Sequence, residues 1–178
     1  MDWLTEAERR LRRGNRILFT RESPLLQDLL LVMEGTDRRP LVRWALEQAG
    51  RAADALAKRY PADDRPARAL AAGARWAAGE IKMPEARRAI LACHAMAHAV
   101  DCPADSALCH AVGQACSVVH TKGHAAGLPA YELTAIVLEY GLTRCRGPVE
   151  ARKQEYMERL LYWRDNASGL AGKWAPFL

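Results

Sequence analysis

All five histidines of the 178-residue chain, and four of its five cysteines, lie between Cys93 and His124. His94 and His98 are four residues apart, which on a helix places both imidazoles on one face. Cys116 and His120 repeat that spacing further along, and His124 follows closely. Two such faces opposed across a helix hairpin would offer imidazole and thiolate, the donors zinc prefers. His94, His98, His120, His124 and Cys116 are therefore the candidate ligands of one reading, a metal-binding protein or metalloenzyme. The pattern is incomplete for that chemistry. The stretch reads HAMAH, without the glutamate that serves as general base in HExxH peptidases. Asp101 and Asp105 are the only carboxylates between His94 and His124, and no cysteine pair has C-x-x-C spacing.

The plainer reading is a packed helical interior. On it, His94, His98 and His120 are buried where the helices beginning at Pro84 and Pro103 meet. Gln114, Ser117 and His120 would serve as hydrogen-bond partners, and burial would keep the rings neutral. Such partners are required, because a buried polar group left unsatisfied costs about 1–3 kcal/mol. The cysteines then behave as small hydrophobes with free thiols. Nucleophilic catalysis finds no support: Cys109 and His110 are adjacent but point apart on a helix, and no nucleophile elbow or phosphate-binding glycine loop occurs. The residues thus assign no catalytic, cofactor-binding or metal site, and the histidine set stays as the alternative.

A second cluster is basic: Arg9, Arg10, Arg12, Arg13, Arg16 and Arg21. It could neutralise phosphates. It lacks interleaved aromatics for base stacking, and Glu6–Arg10 and Glu8–Arg12 are well-oriented i,i+4 pairs. A solvated helix face without a nucleic-acid site is the expectation. The net charge of +5 favours acidic partners. No stretch is long and apolar enough for a membrane span, and the charged start MDWLTEAERRLRR lacks a signal-peptide core, so a cytoplasmic protein is expected.

Proline placement shows which elements must position these residues. Seven of nine prolines (Pro24, Pro40, Pro66, Pro84, Pro103, Pro129 and Pro148) sit where a helix can begin. Thr5 with Glu8 reads as a capping box, and Ser23, Asp63 and Asp64 read as caps. The segments so delimited predict eight helices, near 5–13, 24–34, 40–59, 66–80, 84–100, 103–121, 129–140 and 148–166. Leu41, Trp44, Ala45 and Gln48 line one predicted face, and Leu70, Ala74, Ala77 and Ile81 another. The helix from Pro84 is apolar nearly all round beyond Arg88 and is predicted to be buried. Only Ile17–Phe19 hints at a strand. The expected fold is all-α, a single domain over 1–178 built from about eight antiparallel helices.

The succession WALEQA from Trp44, PADDRP from Pro61, ALAAGARWAAGEI and HAVGQACSVVHTKGHAAG resembles a family of all-helical bacterial immunity proteins of polymorphic toxin systems. The resemblance covers roughly residues 40–140. It leaves 1–39 as an N-terminal helical extension and 148–178 as a C-terminal helix and tail. The chain departs from the family pattern at Gln48 and Gly50, where cysteine and glutamate are common. The resemblance implies a cytosolic protein that binds and blocks a cognate toxin, with no enzyme activity and no cofactor. A homodimer is a further candidate assembly.

Overall fold

The computed structural model describes residues 2–178, and among them every regular element is helical. In chain order these are α1 (Trp3–Arg12), α2 (Gln27–Gly35), α3 (Arg38–Arg59), α4 (Arg65–Ala77), α5 (Met83–Met96), α6 (Pro103–Ser117), α7 (Gly127–Tyr140) and α8 (Arg146–Asp165). Short 3-10 turns at Pro24–Leu26, Lys122–Ala126 and Ala167–Gly169 complete the chain. The all-α expectation holds, and the proline boundaries fall close to where they were predicted. Pro66, Pro84 and Pro103 each sit in the first turn of their helix, where a missing N–H costs nothing. No described helix is long and apolar enough to cross a membrane.

Helix α6 is the axis of the packing and touches α3, α4, α5 and α7. Its buried residues are mostly small, including Ala107, Ala111, Gly113 and Ala115, so neighbouring helices can approach closely. Cys109 and Cys116 on α6 and Cys93 on α5 fill this core as free thiols, and Cys93 Sγ lies 3.4 Å from the Cys109 carbonyl oxygen. One continuous apolar cluster runs from Trp3 on α1 to Leu160 on α8. Trp44 at its centre stacks obliquely on Tyr156 and donates its indole N–H to the Tyr156 carbonyl at 3.0 Å.

Between α3, α7 and α8 the core contains an ionic node that the sequence did not announce. Arg152 and Glu132 are both almost fully buried and share two hydrogen bonds of 3.0 Å. The same guanidinium donates to the side-chain oxygen of Gln48 at 2.8 Å and to its carbonyl at 2.9 Å. The Tyr156 hydroxyl completes the arrangement by donating to Glu132. A second such contact joins the end of α3 to α6: Asp105 is buried and accepts from Arg59 and from the Tyr60 hydroxyl, the latter at 2.8 Å. That hydrogen bond, with burial behind it, pushes the Tyr60 phenol up to about 12.

Several local expectations need correction. Helix α5 is a peripheral helix: only Ala86, Ile90, Cys93 and Met96 are buried, and Leu91 is exposed. Alanine made its sequence look apolar all round, yet alanine carries so little area that exposing it is cheap. The buried face of α4 is Ala69, Gly73, Trp76 and Ala77, so its true stripe is offset from the one predicted through Leu70 and Ala74. Thr5 lies inside α1 and does not cap it. The Ser23 hydroxyl donates to buried Glu6 at 2.9 Å and accepts the Thr20 N–H, so it caps no helix. Asp63 does receive the Arg65 N–H at the start of α4, at 3.2 Å. Ile17–Phe19 forms no strand; Leu18 and Phe19 are fully buried, and the Leu18 N–H is satisfied by the Thr134 hydroxyl at 2.9 Å.

Candidate functional site

The histidines gather along one side of α6, but in a different order from the one expected. Gly113 leaves an open notch in α6, and the His94 ring from α5 fills it. A Cβ at Gly113 would stand 2.5 Å from His94 Cε1 and 2.8 Å from Cδ2. Seated there, His94 brings its Nδ1 to 2.8 Å from Nδ1 of His110, one turn earlier on α6. One ring must donate and the other accept, so the contact requires at least one neutral imidazole. His110 also lies against the Tyr131 ring of α7, with centroids 5.0 Å apart, and against the edge of His98 at 6.2 Å.

A second polar pair sits one step along. Gly127, the first residue of α7, has no side chain because the Gln114 side chain occupies that space; a Cβ there would lie 2.6 Å from Gln114 Oε1. Held in this way, Gln114 accepts a hydrogen bond from His124 Nδ1 at 2.9 Å. His120 makes neither contact. Its ring stacks on Trp76 of α4, with centroids 6.1 Å apart and planes inclined by 18°.

The residues proposed as a metal set are therefore divided. His94 is half-buried and pairs with His110, which that set omitted. His98 and His120 are exposed, contrary to the buried positions expected for them, because α5 stops at Met96 and α6 at Ser117, before either histidine. His124 pairs with Gln114. Cys116 is fully buried and faces Gly73 of α4. Among the described residues no three His, Cys, Asp or Glu side chains come together as a metal ion would need.

Electrostatics favour neutral rings. Burial first, then the neighbouring His110 and His124, push the His94 imidazole down to about 4. Burial likewise lowers His110, aided by His98 and Arg16, and lowers His124, aided by His120 and Arg21. The thiols of Cys93 and Cys109 are raised by burial to about 12, which makes them poor nucleophiles at neutral pH. The site holds and orients rings, and its Cys93 and Cys109 thiols are held protonated.

Two hollows flank this row. One, of about 350 Å³, lies among α4, α5, α6 and the turn Lys122–Ala126; Trp76 and Ile90 are among its walls, and Met83 and Leu91 stand exposed at its rim. It takes in His94, His120 and His124 together with Arg87, and no carboxylate lines it. The other, of about 720 Å³, lies on the far side of the His94–His110 pair, between the Asn15–Ile17 segment and α6, and exposes His98, His110 and Tyr131. Of the basic residues near the N-terminus, Arg10 is bound to Glu6 at 2.9 Å and Arg12 to Glu8 at 2.7 Å, the i,i+4 pairs expected from the sequence.

No curated protein and no solved structure matches the chain. Residues 31–160, most of the chain and more than the stretch from 40 to 140 that carries the resemblance, match the family model described as Imm-5 like putative immunity protein. The match takes in α3 to α7 whole, and with them the histidine row, the two notch glycines and the Arg152–Glu132 node of α7 and α8. The chain belongs to the Imm-5 like putative immunity protein family.

Proposed function

We propose that the protein protects the cell that makes it by binding and blocking a toxin, in the cytoplasm and without turnover of its own. Membership of an immunity-protein family over residues 31–160 is the observation that carries this reading. The site chemistry supports it. Its histidines are committed to each other, to Gln114 and to Trp76, and its thiols are held protonated. A surface of this kind recognises a partner by shape and does not transform a substrate.

The test is stoichiometric. Co-expression with the toxin-like gene nearest to this one should restore growth, and the two proteins should co-purify in a fixed ratio. Rescue should fail when toxin is in molar excess. Rescue by trace amounts of the protein, or rescue without a complex, would overturn the proposal.

A further inference from the structure

The turn Lys122–Ala126 stands between two hollows. On one side is the 350 Å³ groove walled by Trp76 and rimmed by Met83 and Leu91. On the other is a hollow of about 530 Å³ beside α2, with Leu31 at its edge, 71% exposed. Phe177, half exposed, leans on Trp76 at 6.2 Å and extends the apolar rim. The C-terminal segment that carries Phe177 is fixed in place, because the Ala175 N–H donates to the Ala77 carbonyl at 2.7 Å.

The charge around this turn is predominantly positive. Lys122 donates to the carbonyls of Glu34 and Thr36, Arg21 to that of Gly123, and Arg38 to those of Val119, His120 and Phe177. These cations use backbone oxygens to hold their positions, and none of the three forms an ion pair among the described residues; Arg21 alone acts on a nearby carboxyl, that of Glu22. Arg75 takes the nearby Glu80 and Glu85 at 3.6 and 3.7 Å, while Arg87 in the groove makes no ion pair among the described residues. Across both hollows Glu34 is the one acidic lining residue. Elsewhere the same protein pairs its arginines with carboxylates readily, as at Arg159–Glu47 and Arg146–Asp2, both at 2.6 Å. Around the turn, positive charge without an ion pair stands beside apolar surface on both sides.

We infer that this face, centred on the turn Lys122–Ala126, is the toxin-docking surface, and that the toxin presents to it an acidic segment carrying an apolar side chain. The inference rests on the toxin-blocking reading and deepens it by naming the surface and the partner's chemistry. The apolar side chain enters the groove against Trp76 and Leu91, and carboxylates lie against Arg87, Lys122 and Arg21. Buried aromatic anchors ringed by charged groups are what concentrate binding energy in protein interfaces. The apolar walls favour a protein segment over a nucleic-acid backbone, whose phosphates would gain nothing from Met83, Leu91 or Phe177. Uncompensated cations around the groove also steer an acidic partner towards it before contact.

The probe is a purified toxin whose growth inhibition co-expression of this protein relieves, titrated against wild type and three variants: Leu91→Asp, Arg87→Glu/Lys122→Glu, and Arg12→Glu/Arg13→Glu on α1. Wild type should bind, with affinity falling as salt rises. Leu91→Asp and the groove double variant should each lose roughly 30-fold or more, the scale of an interface hot spot. The double variant should also lose most of the salt dependence, whereas the α1 variant should bind as wild type does. Leu91 and Arg87 are exposed, whereas Lys122 ties the turn to the Glu34 and Thr36 carbonyls, so thermal unfolding is measured on every variant and binding losses are scored on folded protein. If wild type does not bind the toxin, the toxin-blocking reading fails and this inference with it. If wild type binds and the groove variants bind equally well, the reading stands and the docking surface is wrong. A loss with Leu91→Asp but none with the charge reversal would overturn the acidic partner. Two other outcomes also sink the inference: a wild-type dimer that Leu91→Asp splits, or DNA binding that Arg87→Glu/Lys122→Glu abolishes.

Discussion

Arg152 and Glu132 meet through two hydrogen bonds of 3.0 Å where neither side chain is more than 3% exposed. Charges so placed are retained only with complete partners, and here Gln48, Tyr156 and the Glu155 carboxylate, 2.9 Å from the guanidinium, supply the rest. Arg152→Ala should therefore cost about 3–5 kcal/mol, because it strands Glu132 as well as removing the arginine. Arg152→Met/Glu132→Leu should recover most of that loss. Urea unfolding with an unchanged m-value is the measurement. A double variant as unstable as the single one would show that the node contributes more than mutual charge compensation.

Gly113→Ala should disturb the histidine row. The added methyl collides with the His94 ring, which must leave its notch and give up His110. Overpacking of this kind costs roughly 1–3 kcal/mol. Pairing it with His94→Ala should be less damaging than the sum of the two, since the ring and the methyl compete for one space. Strict additivity in that cycle would refute the packing argument.

Acid should destabilise the protein through the same ring. The His94 imidazole is held at about 4 in the folded chain, below its ordinary 6.5. Between those values the unfolded chain takes up a proton that the folded one refuses, so stability is full above 6.5 and falls as pH drops towards 4. The lowered His110 and His124 act in the same direction. Urea midpoints at pH 7 and pH 5 should differ in wild type and differ less in His94→Gln. A midpoint that is flat over this range would contradict the burial assigned to His94.

Metal content is the fourth test. Protein purified without an affinity tag should carry no stoichiometric zinc, nickel or iron, and chelator should leave its melting temperature unchanged. The basis is that no third ligand joins the His94–His110 pair among the described residues: His98 only sets its ring edge-on to His110, His120 stacks on Trp76, and Cys116 faces Gly73. Near-stoichiometric metal that disappears in His94→Ala/His110→Ala would revive the metal-centre alternative.

Much of the fold was legible because it is written in local chemistry. Proline starts and 3.6-residue periodicity read correctly for α3, whose predicted stripe Leu41, Trp44, Ala45 and Gln48 is buried throughout. The family was legible too, in the alanine-rich run through His120 and His124. Alanine limited what could be read in α4 and α5, since it is as comfortable exposed as buried and leaves a helix's inner face ambiguous. The exposure of His98 accompanies the end of α5 at Met96, two residues before it. Arg152, Glu132 and Asp105 each look like ordinary surface charges in one dimension; only a distant partner explains their burial. His110 was present in the cluster from the start. Its pairing with His94 needed Gly113, and a glycine inside a helix was the signal that could have pointed to it.

The notches at Gly113 and Gly127 bear on how the family can vary. Each glycine is one half of a lock whose other half lies elsewhere in the chain: His94 for Gly113, Gln114 for Gly127. Neither glycine can gain a side chain while its partner stays large. In an alignment of relatives, position 113 should hold a side chain only where position 94 has become small, and the same exchange should link 127 with 114. These two correlated pairs would carry the memory of the histidine row even in members that have lost the histidines themselves.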